Sequence, residues 1–266
     1  MMETTSLTTR AEKARYAFYS LSGGRDSQAA LELTIDAMRS SGKRIELLYV
    51  DNHSELESVR AHAEATAKRA GLPLTILDSV SFVEHYERLG RWPNPIHKDC
   101  VEALINRPID AYCRSVAGGE DYLLVRGGRP SQRGRLSTGA AYQEIKGKPG
   151  MIIYNPLYLH PDYEATWPEW PGYTLGYART RCWCCPFALV TDWEILRQLE
   201  PEKYERVKDM FGRLTWRAYK GDGYLRRIEK YWIGDQGVQV PMKRTRQVVT
   251  DDEQEAETGP AVPPAG

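Results

Sequence analysis

The sequence has little of what marks a membrane-bound, secreted or nucleic-acid-binding protein. No apolar run approaches the roughly 18 residues that a membrane-spanning helix needs, and residues 1–15 lack the apolar centre of a secretory signal. Basic and acidic side chains are equal in number, 36 of each, so the formal net charge of the 266 residues is zero. Charge therefore does not indicate a nucleic-acid partner. No membrane partner is expected, and the expected compartment is cytoplasmic.

Cysteine is scarce and unevenly placed. Five cysteines are present, an odd number, and three of them lie within four positions, at Cys182, Cys184 and Cys185. In a reducing compartment this pattern favours metal-binding or catalytic sulfur over a disulfide framework. Cys182-x-x-Cys185 has the spacing of two ligands of one metal or cluster. Buried apolar thiols are one alternative, and a reactive thiol whose pKa is lowered by Arg179 or Arg181 is another.

Strand-like and helix-like segments alternate through the first part of the chain. Strands are predicted at 16–21, 44–50, 72–77, 121–125 and 152–157, and helices at about 26–38, 55–70 and 101–116. This alternation is typical of an α/β protein whose parallel sheet has helices on both faces. Gly71 is predicted to cap the second helix.

The first strand and the first helix are joined by a short polar loop. Its residues are Ser22, Gly23, Gly24, Arg25, Asp26 and Ser27. Glycines let a backbone approach an anion closely, and a helix N-terminus offers N–H groups and a positive dipole end. The serine hydroxyls and the guanidinium can add hydrogen bonds to phosphate oxygens. The alternative is an ordinary turn whose helix is capped by Asp26 or Ser27; the density of useful groups favours phosphate binding.

This loop resembles the S-G-G-x-D-S loop of the PP-loop family, the adenine nucleotide α-hydrolases. It has neither the Walker A spacing nor the dinucleotide-binding fingerprint. The resemblance implies a Rossmann-like, HUP-type, five-stranded parallel sheet whose loop holds the pyrophosphate of ATP or a related sulfonucleotide. It also implies cleavage of ATP between the α and β phosphates, adenylation of a substrate, and attack by ammonia or sulfur.

Later segments are similar, in order, to motifs of the branch related to phosphoadenosine phosphosulfate (PAPS) reductase. They are 47–57 with Asp51 and Glu55, 100–112 with Cys100 and Pro108, 127–133 with Gly127, Arg129 and Gln132, 155–157, and 176–187 with its cysteines. This branch includes DNA-phosphorothioation sulfur-transfer enzymes, whose cysteine segment also reads C-W-x-C. The matches extend over roughly two-thirds of the chain.

The resemblance assigns roles to individual residues. The loop would bind phosphates, Asp51 and Glu55 would lie over the ribose or a Mg²⁺ ion, and Gly127 and Gln132 would line the nucleotide. The nucleotide would be ATP, PAPS or adenosine phosphosulfate (APS). Asp26, Arg129 and Cys185 are the catalytic candidates. From the residues alone, the two acids could instead belong to a helix start and Arg129 to a solvated loop.

The cysteines are also assigned a role by the resemblance. Cys100, Cys182, Cys184 and Cys185 would hold a 4Fe–4S cluster or a zinc ion, with Cys113 as another choice for the fourth ligand. The domain plan that follows is a flexible N-terminus at 1–15, a PP-loop domain at 16–190, a helical appendage at 191–240 and a disordered tail at 241–266.

Several positions depart from the motifs. Ile105 stands where lysine is usual, His53 replaces a glycine, Arg133 replaces a serine, and no cysteine follows Cys185. The predicted function is binding of an adenine nucleotide, the expected partner, with adenylation or sulfur transfer. One alternative is a PAPS or APS reductase proper that releases sulfite. The other is a catalytically inactive, nucleotide-binding accessory subunit of a mobile-element or defence system. A homodimer or larger complex is expected.

Overall fold

A mixed sheet of six strands lies at the centre of the part of the chain that the structure describes. The structure is a computed structural model, and it describes residues 2–91, 99–130, 140–160, 182–185 and 190–213. The strands are β1 (Tyr16–Ser20), β2 (Arg44–Asp51), β3 (Leu74–Asp78), β4 (Tyr122–Val125), β5 (Tyr142–Glu144) and β6 (Met151–Tyr154). Their order is β3-β2-β1-β4-β6-β5. All neighbouring pairs are parallel except β5 and β6.

Seven α-helices accompany the sheet in the described residues. They are α1 (Met2–Lys13), α2 (Arg25–Ser40), α3 (Glu57–Ala70), α4 (Phe82–Leu89), α5 (Arg107–Ala117), α6 (Val190–Leu199) and α7 (Pro201–Arg213). A π-helical stretch, Val101–Asn106, leads into α5, and a 3₁₀ turn, Pro156–Tyr158, follows β6. None of the helices in these ranges is long and apolar enough to cross a membrane.

The predicted α/β fold with a mostly parallel, Rossmann-like sheet is confirmed, and the strand number is corrected from five to six. The additional strand, β5, has three residues and pairs antiparallel with β6 at the edge of the sheet. Such a short strand carries too few residues for an alternation of apolar and polar side chains to be visible in the sequence.

The sheet buries a separate apolar layer on each face. Side chains of α2 and α3 pack with Tyr19, Leu123 and Ile152 on one face. Side chains of α5 pack with Phe18 and Leu124 on the other face. The period-two alternation along β1 and β4 therefore sends neighbouring residues to opposite layers, as expected for a strand buried on both sides.

The N-terminus differs from the flexible segment that the sequence predicts, because Met2–Lys13 forms α1. The helix is tied to the rest of the fold at its C-terminal half. Arg10 forms two hydrogen bonds of 2.7 Å to the carboxylate of Asp121, and Ala11 and Ala14 are buried. The Lys43 ammonium donates to the carbonyls of Glu12 and Ala14 at 2.7 and 2.6 Å, which satisfies the helix end.

The chain groups into two compact units, residues 1–217 and residues 218–266. The helices α6 and α7 belong to the first unit together with the sheet. The second unit, and with it the predicted disordered tail at 241–266, lies outside the described residues. The order of the strands places the reversal of the chain between β1 and β4, and ligands of open parallel sheets bind at such a reversal, outside the carboxyl ends of the strands.

Candidate functional site

The loop after β1 is pressed against α3 at Gly23. Its φ of 66° lies in the left-handed region. A Cβ atom at this position would lie 2.5 Å from Cγ1 of Val59 and 2.7 Å from the Val59 carbonyl oxygen. Only glycine fits both the backbone conformation and the space.

Helix α2 begins without a side-chain cap. Its N-cap residue is Gly24, and no side chain at the N-cap position forms a capping hydrogen bond. The Ser27 hydroxyl instead donates to the Gly24 carbonyl at 2.8 Å, and its oxygen accepts from the Ser22 N–H at 3.1 Å. The capped turn considered from the sequence is therefore not what forms here. The first N–H groups of a helix lack partners within the helix, and an uncapped N-terminus of this kind suits an anion.

The loop after β4 lies directly against the first turn of α2. A Cβ atom on Gly127 would come within 2.4 to 2.6 Å of backbone atoms of Asp26 and Ser27. The same loop carries Arg129, whose Nε lies 3.1 Å from Oδ2 of Asp26. Two of the three predicted catalytic side chains thus meet at the predicted phosphate loop, and Arg25 lies 3.8 Å from the same carboxylate.

The two acidic residues after β2 lie at the expected edge of the sheet, and both carboxylates hold partners from the protein. Asp51 accepts from the Arg60 guanidinium at 2.8 Å and from the His53 N–H at 2.9 Å. Glu55 accepts from the Tyr49 hydroxyl at 2.8 Å. As placed, they do not offer a Mg²⁺ ion two uncommitted carboxylates, so the role of these acids at a ribose or a metal stays a prediction.

Burial raises the pKa of Glu55 to about 7. The hydrogen bond from Tyr49 opposes this shift, and the negative charge of Asp51 adds to it. Burial and the neighbouring Glu55 charge also raise the pKa of Tyr49, so both side chains of the pair favour their protonated forms. A carboxyl with this pKa changes its protonation close to neutral pH.

His53 adopts the backbone conformation that glycine would take. Its φ is 53°, and it is the one residue other than glycine with a positive φ in the described part of the chain. A non-glycine residue there costs of order 1 kcal/mol. Its Nε2 lies 2.7 Å from Oδ1 of Asp78, at the end of β3. His53 thus takes a left-handed conformation that glycine adopts more readily, at the position where the motif it resembles has glycine.

The cysteine segment docks onto the loop after β2. The Trp183 N–H donates to the Ser54 carbonyl at 2.7 Å, and the Asn52 amide lies 3.7 Å from the sulfur of Cys182. The fully buried Cys184 side chain lies near the same Ser54, whose hydroxyl donates to the Asn52 carbonyl at 3.0 Å. The sequence gives no signal that Asn52 or Ser54 meets the cysteine segment, since nothing in the spacing links positions 130 residues apart.

Two of the predicted sulfur ligands, Cys100 and Cys182, have thiols whose pKa is raised and not lowered. Burial raises the pKa of Cys182, and the charges of Cys184, Cys185 and Cys100 raise it further. Burial also raises the pKa of Cys100 against a hydrogen bond from Tyr86. The pKa-lowering arrangement considered from the sequence is thus not seen at these two thiols, and it stays a prediction. Arg179 and Arg181, which would have caused it, lie outside the described residues.

The described thiols do not, as placed, form a metal centre. Within the ranges that the structure describes, no three His, Cys, Asp or Glu side chains are arranged to hold a metal ion. Cys113, the other choice for a fourth ligand, is buried in the apolar layer beneath α5. A cluster or zinc ion on Cys100, Cys182, Cys184 and Cys185 therefore stays a prediction.

Other predicted positions have separate outcomes. Gln132 and Arg133 lie outside the described residues. Ile105, where the motif has lysine, packs against the apolar layer under α5. Cys185 follows the buried Cys184 and is partly exposed.

No family model matches the chain, and no curated protein does. Among solved structures it is similar to phosphoadenylyl-sulfate (PAPS) reductase from Candida auris in a phosphate complex, with 17% identity and a TM-score of 0.42 over 63% of this chain and 81% of that one. It is similar to NMN synthetase from Francisella tularensis at 11% identity and a TM-score of 0.42, over 99% and 97% of the two chains. It is also similar to the U34-tRNA thiolase NcsA from Methanococcus maripaludis with its 4Fe–4S cluster, at 14% identity and a TM-score of 0.39, over 92% of this chain and 83% of that one.

The raised pKa of Glu55 predicts a pH dependence of stability. The folded protein holds the Glu55 proton more tightly than the unfolded chain, whose carboxyl has a pKa of about 4.5. This contribution is therefore complete below pH 4.5 and is lost as the pH rises through about 7. Glu55→Gln removes this pH-dependent contribution. The free energy of unfolding of the variant minus that of wild type should therefore be larger at pH 8 than at pH 5, by about 2 kcal/mol after discounting for partial exposure.

Urea unfolding of wild type and Glu55→Gln at pH 5 and pH 8 measures this difference, with the exposed Glu57→Gln as the matched control. If Glu55→Gln changed the free energy of unfolding equally at both pH values, the pKa of Glu55 would not be raised in the folded protein.

The close approach at Gly127 predicts that alanine is not tolerated there. Its methyl group would meet backbone atoms of α2, which cannot move aside cheaply, so we expect a loss of more than about 2 kcal/mol. Gly42→Ala separates this clash from backbone strain, because Gly42 has a positive φ and open space around it. It should cost only about 1 kcal/mol. Equal thermal unfolding of the two variants would rule out the close packing of the β4 loop.

Proposed function

We propose that this chain is a PP-loop protein of the PAPS-reductase-like branch, which binds an adenine nucleotide and acts in adenylation or sulfur transfer. The observation that carries the proposal is the uncapped N-terminus of α2, which begins in the Gly23–Gly24 turn and is closed from the other side by the β4 loop at Gly127. Backbone N–H groups and a helix dipole then converge on one point, where a phosphate group would lie.

Arg129 is proposed as the side chain that binds the negatively charged phosphates of the nucleotide. It is held 3.1 Å from Asp26 at the first turn of α2, with only 16% of its side chain exposed. A guanidinium in this position can form a forked pair with a phosphate oxygen when the nucleotide arrives. Asp26 would keep the guanidinium in place before binding and orient it afterwards. Gly127 and Gln132 complete the proposed lining of the nucleotide.

The proposed chemistry takes place at the carboxyl edge of the sheet, between the loop after β1 and the cysteine segment on the β2 loop. A substrate oxygen attacks the α-phosphorus of ATP, the bond to the β-phosphate oxygen breaks, and pyrophosphate leaves with its electron pair. A sulfur nucleophile then displaces AMP from the adenylated substrate. Cys185, in the segment docked on the β2 loop, is the proposed sulfur-bearing residue. A cluster on the four cysteines would bind or deliver sulfur, and Mg²⁺ would neutralise phosphate charge.

A second candidate function is a nucleotide-binding accessory subunit without turnover. The observation that favours it is the packing of Ile105 in the apolar layer, at the position where the family motif has a cation. A sulfite-releasing reductase is disfavoured, because the chain as given has no cysteine after Cys185. The cytoplasm and a homodimer or larger complex stay predictions for any of these functions.

The test is isothermal titration of anaerobically purified protein with ATP–Mg²⁺, PAPS and APS in separate experiments. Arg129→Gln should weaken the preferred nucleotide at least about tenfold, since a charge-assisted fork to phosphate is lost. The exposed Arg88→Gln is the matched control and should bind as wild type does. Preference for ATP favours adenylation, and preference for PAPS or APS favours the reductase. If no nucleotide binds, or if the two variants behave alike, the proposed site is wrong.

A further inference from the structure

Arg126 is a guanidinium without a counter-ion at the carboxyl end of β4. Its one side-chain hydrogen bond goes to Oδ1 of Asn106, at 3.0 Å. No carboxylate among the described residues forms an ion pair with it, and it is partly buried. Burial lowers the pKa of Arg126 against the attraction of more distant negative charges. A desolvated cation of this kind is costly unless an anion pairs with it.

The nearest carboxylates are already neutralised by other cations. Glu102 pairs with Lys148 at 3.3 Å. Asp110 pairs with Arg114 at 2.6 Å, and Lys148 lies 3.7 Å from it. Both acids influence Arg126 only at longer range. Of Arg126, Arg114 and Lys148, only Arg126 has no carboxylate of the described residues within ion-pair distance.

Asn155 is a second unsatisfied group, one residue past β6. The residue is 1% exposed, and neither the nitrogen nor the oxygen of its side-chain amide has a hydrogen-bond partner. Its backbone is fully engaged, because its N–H donates to Ala141 at 2.7 Å and its carbonyl accepts from Tyr158 at 3.2 Å. A buried amide left without partners is destabilising, so its two polar atoms call for a hydrogen-bonding ligand.

Arg126 and Asn155 are neighbours on one face of the sheet. Val125 pairs with Tyr154 in the parallel register, and the Arg126 N–H donates to the Tyr154 carbonyl at 2.9 Å. The next residues along the two strands are therefore also side by side, about 5 Å apart. Leu124 and Ile153 lie in the apolar layer under α5, so the period-two alternation turns Arg126 and Asn155 to that same face.

We propose that Arg126 and Asn155 form a binding site for a tetrahedral oxyanion, a phosphate or a sulfate group. The guanidinium supplies a planar fork of N–H donors, and the Asn155 amide adds a neutral N–H donor from the adjacent strand. The anion neutralises the buried charge and satisfies the amide at once. No other group on this face of the described strands offers a donor pair with the same unmet demand.

This oxyanion site extends the proposed function. The identity of its natural ligand rests on that proposed function. Strand β4 lies between β1 and β6, so the α2 N-terminus and the Arg126–Asn155 pair flank the carboxyl end of β4. A nucleotide phosphate at the first position leaves the second for a separate oxyanion. This could be the pyrophosphate that adenylation releases or the sulfate group of a phosphosulfate, and both sources present the same oxygen geometry.

The experiment is an NMR titration that observes arginine Nε–Hε signals directly. The Arg126 signal is identified as the one missing from Arg126→Lys, which keeps the charge and loses the fork. Inorganic sulfate, phosphate and pyrophosphate are added in separate titrations, with chloride at matched ionic strength as the reference. We expect the Arg126 signal to shift saturably with these oxyanions and not with chloride. The dissociation constant should be lowest for the anion that the site binds naturally.

Asn155→Leu should weaken the anion about tenfold, as expected for the loss of one hydrogen bond to a charged ligand. It should unfold at the same temperature as the ligand-free wild type or higher, because it removes two unsatisfied polar atoms. The control is Gln143→Leu, whose amide is satisfied by the Ala140 carbonyl at 2.9 Å and whose loss should destabilise.

The inference is overturned if the Arg126 signal responds to sulfate and phosphate only as it does to chloride, or if Asn155→Leu binds as tightly as wild type. Because these titrations contain no nucleotide, their failure is separate from that of the proposed function. A saturable Arg126 response in a protein that binds no nucleotide would leave the oxyanion site standing and remove the nucleotide proposal.

Discussion

The contact of Gly127 with the first turn of α2 is the constraint on which the rest of the site depends. With no side chain at Gly127, the backbone after β4 can lie against the backbone of Asp26 and Ser27. That contact brings Arg129 to Asp26 and encloses the uncapped end of the helix from a second side. A larger residue would push the β4 loop away and separate Arg129 from Asp26 and from the start of α2.

Ser54 has the corresponding role on the other side of β1. Its carbonyl accepts from Trp183, its hydroxyl lies near Cys184, and the same hydroxyl accepts from the N–H of Phe82 at the start of α4. One buried serine thus ties the β2 loop to the cysteine segment and to α4. The cysteine segment and the proposed phosphate-binding loop therefore both lie at the same edge of the sheet.

The sequence predicts the alternating sheet and the phosphate loop because each depends on local patterns. The strands are continuous apolar runs, and the loop residues are adjacent in the chain. Helix α1 was missed since its only apolar residues are Met2, Leu7 and Ala11, and β5 because it is three residues long. Arg126 carries no signature in the sequence, and Asn155 lies in the motif-like segment 155–157 without any sign there that it meets Arg126. Each is a single polar residue after a strand, and only the register of β4 and β6 makes them neighbours.

The most direct test of the central claim is hydrogen–deuterium exchange of the wild-type protein with and without ATP–Mg²⁺, resolved by peptide. The account predicts slower exchange in peptides that cover residues 21–28 and 126–130, since the bound phosphates would hold the backbone N–H groups at the start of α2 and fix the adjoining loop. Peptides of α6 and α7 should not change. Nucleotide binding that left residues 21–28 unprotected and protected α6 or α7 instead would contradict it.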